Sequence, residues 1–130
     1  MPEESLGALV EVVEAARSEG MRGLIRVILE AYADADAEHK LQLDALSVLP
    51  ADKQTPLIAA QRRLVDIMTD AVLQQAPQLQ ADPDRLRAAT MSVFGVLNWF
   101  YMWHRPGKGL SREDYADLAT DFATGGLKAL

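Results

Sequence analysis

The residues best able to do chemistry in this chain are two histidines and a few pairs of acidic residues. His39 and His104 could act as general acids or bases or bind a metal ion, but neither has a histidine or acidic partner at a metal-ligand spacing on its own helix. Acidic pairs such as Asp34 with Asp36 lie in polar stretches and are typical of surface charge. We therefore predict no catalytic residues, no metal site, no cofactor and no enzymatic activity. A cofactor-free enzyme that uses His39 or Tyr32 as its acid or base is an alternative.

A second group of polar residues interrupts otherwise apolar helix faces. Its members are Tyr32, His39, Gln61, Asn98 and Tyr101. Each could be satisfied by a backbone carbonyl inside a filled core, as buried polar groups normally are. Alternatively, they converge on an apolar cavity between helices and orient a small ligand there, which is the usual composition of such pockets.

The composition is that of a single globular domain. The 130 residues are 49% hydrophobic and 25% charged, carry a formal net charge of −6 and include no cysteine. Scattered basic residues and a negative net charge argue against nucleic-acid binding by these residues. The sequence has no signal peptide and no apolar run long enough to span a bilayer, so we expect no membrane association and a cytoplasmic protein.

The pattern of apolar residues predicts an all-α fold of about six helices in one domain, residues 1–130. No stretch alternates with the period of a β-strand. The predicted helices are Ser5 to Gly20, Met21 to Tyr32, a short one over Leu43 to Leu49, about Asp52 to Gln75, Pro83 to His104 and Ser111 to Leu127. Asp82 and Ser111 are the predicted N-caps of the last two helices.

The run MSVFGVLNWFYMW, Met91 to Trp103, is the most apolar stretch and is predicted to form a helix without a polar face. Such a helix either lies at the centre of a large core or is covered by another chain. One of its faces carries small residues followed by tryptophans, namely Ala88, Ser92, Gly95, Trp99 and Trp103.

This face suits association with a second copy. Small residues permit close approach of another helix, and aromatic residues are enriched in interface cores. The last two helices, joined by RPGKGL, form a natural antiparallel hairpin, and Tyr115, Leu118 and Phe122 lie on the apolar stripe of the final helix. Two hairpins related by a two-fold axis would build a four-helix bundle in a homodimer. Packing of the same face within one chain is the alternative.

The segment VFGVLNWFYMWHRPGKGLSREDYADLATDFATGGL, Val93 to Leu127, resembles the C-terminal end of TetR-family transcriptional regulators. LPADKQTPLIAAQRRLVDIM is similar to the long helix that precedes it in that family. The resemblance covers essentially the whole chain, and LNWFYMWHRPGKGLS is its most specific part.

The resemblance implies an effector-sensing domain of a TetR-like repressor that dimerises through its last two helices and binds a small apolar effector between helices. The predicted cavity residues are Tyr32, His39, Leu43, Gln61, Leu64, Met68, Phe94, Asn98 and Met102. The helix-turn-helix head that reads DNA in this family is missing from this chain, so we expect DNA contact only through such a head. The alternative function is a standalone helical module that binds a partner protein and no small molecule.

Overall fold

The computed structural model describes residues 2–32 and 51–130, with side chains described for residues 7–31 and 58–130. Five α-helices fill these ranges: α1, Pro2–Ala15; α2, Gly20–Tyr32; α3, Ala51–Gln75; α4, Pro83–Trp103; and α5, Arg112–Lys128. Short 3-10 turns at Arg17–Glu19 and Pro77–Ala81 connect α1 to α2 and α3 to α4. The described residues contain no β-strand, which confirms the predicted all-α class.

Part of the prediction lies outside the described residues. The short predicted helix over Leu43 to Leu49 falls there, together with the cavity candidates His39 and Leu43. Tyr32 is described only as the last residue of α2. None of the described helices is long and apolar enough to cross a membrane.

The hairpin of α4 and α5 is defined by local chemistry at its ends. The side chain of Asp82 accepts a hydrogen bond from the backbone N–H of Arg85 at 3.2 Å, and Pro83 occupies the first helical position. Ser111 caps α5 in the same way, accepting from the N–H of Asp114 at 3.0 Å. In the turn between the helices, Gly107 and Gly109 have φ angles of 81° and 69°. Glycine adopts these left-handed angles without steric cost, so the chain can reverse sharply here.

The core is centred on α2. Its side chains Leu24, Ile25, Ile28 and Leu29 are each at most 1% exposed. The final helix α5 packs more extensively on α2 than on α4, while α1 packs on α3. The hairpin is attached to the rest of the domain through two main contacts, α5 on α2 and α4 on α3.

Among the described residues, helix α4 is buried on one face only. Thr90, Val93, Leu97 and Phe100 are buried, whereas Met91, Trp99, Met102 and Trp103 are between 42% and 57% exposed. The described helices therefore do not bury α4 on all sides. Helix α4 therefore carries more apolar side chains than the other described helices bury.

Two arginines connect α2 to α5. Arg22, near the start of α2, donates to Asp117 at 2.8 Å and to Asp121 at 2.7 Å. Near the end of α2, the carbonyl oxygen of Leu29 accepts a hydrogen bond from Nη1 of Arg112 at 3.0 Å. Together these bonds join both ends of α2 to the final helix.

Arg112 also touches the aromatic part of the core, since its guanidinium carbon lies 4.8 Å from the ring centroid of Phe100. We expect Arg112→Ala to lower the free energy of unfolding by about 1–2 kcal/mol, because a charged hydrogen bond and a cation–π contact are both lost. Urea unfolding measures this change, with the exposed Arg87→Ala on α4 as the control. Equal stability of the two variants would show that the contacts of Arg112 contribute nothing.

Candidate functional site

The eight residues predicted to form a dimer interface lie on the α4–α5 hairpin. We call this set the hairpin face; it comprises Ala88, Ser92, Gly95, Trp99, Trp103, Tyr115, Leu118 and Phe122. Seven of the eight are exposed. The large apolar members are 70% exposed for Phe122, 57% for Trp99, 50% for Trp103 and 48% for Leu118. Most of the side chains that the sequence predicts to form a dimer interface are thus exposed.

Tyr115 is the exception, since it is only 8% exposed. Its ring stacks on Phe100 at a centroid distance of 4.6 Å and meets the edge of Trp103 at 5.1 Å. Phe100 in turn lies 4.4 Å from the His104 ring. The buried Tyr115 ring therefore packs against the half-exposed Trp103 ring and restricts its orientation. Burial also raises the pKa of the Tyr115 hydroxyl, which keeps the group neutral.

A groove of about 450 Å³ runs between the two helices of the hairpin. Its lining consists of Gly95, Val96, Trp99, Trp103, Tyr115, Leu118, Ala119 and Phe122. None of these side chains is charged, and depletion of charge is characteristic of interface cores. Val96 and Ala119 line the groove as well, although they are not among the residues predicted to form the interface.

Two acidic residues of α5, Asp117 and Asp121, pair with α2 and do not line this groove. Asp117 and Asp121, which directly precede Leu118 and Phe122 in sequence, are both held by Arg22 of α2. The hydrogen bonds that Arg22 donates to Asp121 and Asp117 raise the pKa of Arg22 above its ordinary value. This pairing keeps two negative charges on the α2 side of the final helix.

The residues predicted to line a ligand cavity are less uniform. Leu64 and Met68 belong to the buried core, and Phe94 packs against that core. Gln61 and Asn98 are half-buried, and Met102 is 52% exposed. The structure places these residues on α3 and α4.

Asn98 differs from the other buried polar groups near it. Its amide oxygen Oδ1 is buried and has no hydrogen-bond partner among the described residues. In contrast, the hydroxyl of Thr90, on the same helix, donates to the carbonyl of Leu86 at 2.9 Å, and Thr69 donates to Val65 at 2.7 Å. An unpartnered buried acceptor is costly, so Asn98 is the described residue best placed to receive a hydrogen bond from a ligand.

The described residues include no group of three or more histidine, aspartate or glutamate side chains that could hold a metal ion. The two features that stand out are the uncharged hairpin face and the unpartnered amide of Asn98. They belong to an all-α domain that exposes an apolar helical hairpin.

Comparison with known proteins gives the family. The chain belongs to the tetracyclin repressor-like, C-terminal domain family, whose sequence model matches residues 14–127. The predicted resemblance to TetR-family regulators is thereby confirmed. This family is one of transcription regulators and not a class of enzymes.

A solved structure supports the same assignment. The crystal structure of a TetR-family transcriptional regulator from Bordetella parapertussis 12822 matches with a TM-score of 0.78 and 28% sequence identity. The match covers 94% of this chain and 69% of that chain. Among curated proteins, none matches this chain.

Proposed function

We propose that this domain is the dimerising, effector-sensing part of a TetR-like transcriptional repressor. The observation that carries the proposal is the hairpin face. A Trp or Phe side chain buries about 150–250 Å² when fully covered, so Trp99, Trp103 and Phe122 leave roughly 300–400 Å² of aromatic surface in water. Contiguous apolar patches of this size on a single chain often mark interaction sites.

Membership of a family of transcription regulators makes a second copy the natural partner for this face. Sedimentation equilibrium on the unmodified protein tests the proposal directly. We expect a dimer at tens of micromolar protein. A monomer under these conditions would argue against dimerisation and favour the alternative, a helical module whose hairpin face binds a different protein.

The proposal assigns the effector to the α3 and α4 region around Asn98. A small apolar ligand that carries one O–H or N–H group would satisfy the Asn98 oxygen beside Phe94, which lies one turn earlier on α4. Such a ligand alters regulation only if it binds one arrangement of the dimer more tightly than the other. DNA contact would belong to a separate reading head, because a domain with a net charge of −6 is poorly suited to binding phosphates. A cytoplasmic location, where DNA is accessible, forms part of the same proposal.

Substitution of Asn98 tests the ligand part. In ligand-free protein we expect Asn98→Leu to raise the free energy of unfolding by about 1 kcal/mol, because it removes an unsatisfied buried acceptor. Thr90→Val is the matched control on the same helix. It deletes a hydroxyl that already has a partner, so we expect it to lower stability. Urea unfolding compares the two variants, and a loss of stability in both would mean that Asn98 is satisfied in the folded protein.

A further inference from the structure

We propose that Phe122 of each copy packs against Gly95 of the other copy, in a dimer whose two-fold axis runs parallel to the hairpin. This rests on the proposed function, since it takes a second copy as the occupant of the hairpin face. It adds which residues meet across the interface and how the two hairpins are oriented.

The face contains both a projection and a recess. Phe122 is 70% exposed, more than any other large hydrophobic residue in the described part of the chain. Gly95 is exposed, and a Cβ atom added to it would have no heavy atom within 4 Å. Tyr115 of α5 contacts Trp103 of α4 at a centroid distance of 5.1 Å. Because the helices are antiparallel, Phe122, seven residues after Tyr115, lies at about the height of Gly95, eight residues before Trp103.

The position of these two residues favours one symmetry axis. Rotation about an axis parallel to the hairpin preserves the height of each residue and exchanges the helices, so α4 of one copy covers α5 of the other. Phe122 then lies over the second copy's Gly95, and Trp99 lies over its Leu118. An axis across the hairpin would instead place α5 on α5, and Phe122 would not reach the recess. Interiors and interface cores pack densely, so the first arrangement is favoured.

The area is consistent with a second copy as the occupant. A standard interface buries about 800 Å² on each partner. The three exposed rings of Trp99, Trp103 and Phe122 already supply roughly 300–400 Å² of this. Leu118, which is 48% exposed, and the smaller residues of the hairpin face add further surface, and the isologous symmetry uses every contact twice.

The test combines two variants that are each defective alone. Gly95→Leu fills the recess, and Phe122→Ala removes the projection. Both positions are exposed, so both variants should fold. In a heterodimer of the two, one contact pairs the new leucine with the new alanine, and the other retains the native phenylalanine and glycine. We therefore expect the heterodimer to be at least about tenfold tighter than either variant homodimer.

Native mass spectrometry of mass-tagged chains, mixed and allowed to exchange subunits, measures the three dimer populations. Gly7→Leu on α1 is the control, because Gly7 also has nothing within 4 Å of an added Cβ but lies on another helix. When the Gly7→Leu and Phe122→Ala chains are mixed, we expect no more heterodimer than the stabilities of the two homodimers predict.

The outcomes separate this inference from the proposed function. A dimeric unmodified protein with preferred Gly95→Leu/Phe122→Ala heterodimers supports both. A dimeric protein without that preference overturns the Phe122–Gly95 contact and leaves dimerisation intact. The same result is expected if the leucine at position 95 collides only with Phe122 of its own chain, because that clash persists in the heterodimer. A monomeric unmodified protein overturns both.

Discussion

Trp99→Arg is expected to leave the domain folded and monomeric. Trp99 is 57% exposed and lines an uncharged groove, so the substitution removes little from the core of one chain. In the proposed dimer, each copy loses one aromatic anchor and gains one guanidinium group at the interface. The groove offers these two guanidinium groups no acidic partner. Loss of a central aromatic anchor commonly costs about 2 kcal/mol or more, and buried unpaired charge adds to this.

We therefore expect the dimer dissociation constant to rise by roughly two orders of magnitude or more. Analytical ultracentrifugation measures the constant, and circular dichroism checks that the helices remain. Val12→Arg is the control, since Val12 is a 45% exposed hydrophobic residue on α1, outside the hairpin face. If Trp99→Arg and Val12→Arg dimerise equally well, the hairpin face is not the interface.

Phe100→Ala is expected to be the most damaging substitution to the fold of a single chain. Phe100 is 1% exposed, and its ring contacts those of Trp103, His104 and Tyr115 and the guanidinium of Arg112. Removing a buried phenylalanine leaves a cavity and typically costs about 3–5 kcal/mol. Because domains are stable by only about 5–15 kcal/mol, this is a large part of the total.

Urea unfolding in a Trp99→Arg background measures the loss without the added stability of dimerisation. Phe122→Ala in that background is a matched control, since it makes the same chemical change at a residue that is 70% exposed. We expect this control to change the free energy of unfolding by less than about 1 kcal/mol. A small effect of Phe100→Ala would mean that the aromatic packing beneath the hairpin face is not needed for folding.

Most of the helices could be predicted because their signals are local. Asp82 and Ser111 cap the helices that they precede, and glycines turn the chain between α4 and α5. The hairpin face could also be predicted, because small residues and tryptophans recur at helical spacing along one helix. Asn98 stands out in sequence as a polar residue in an apolar run, and its oxygen is unpartnered in the structure.

Contacts between distant parts of the chain could not be predicted in this way. Arg22 lies on a polar helix face that looks entirely solvated, yet its partners are 95 and 99 residues further along. Arg112 likewise donates to the carbonyl of Leu29, which is 83 residues away in the sequence. The periodicity of one helix indicates which face is polar, but it does not indicate which other helix supplies the opposite charge.

The bonds made by Arg22 and Arg112 have a mechanical consequence. Because α5 is fastened near both ends of α2, sliding one helix along the other by a turn would break bonds at both places. We therefore expect α2 and α5 to move together as one rigid unit. In the proposed dimer, a displacement that begins beside α2 would then carry α5, and with it one side of the hairpin face, as a unit.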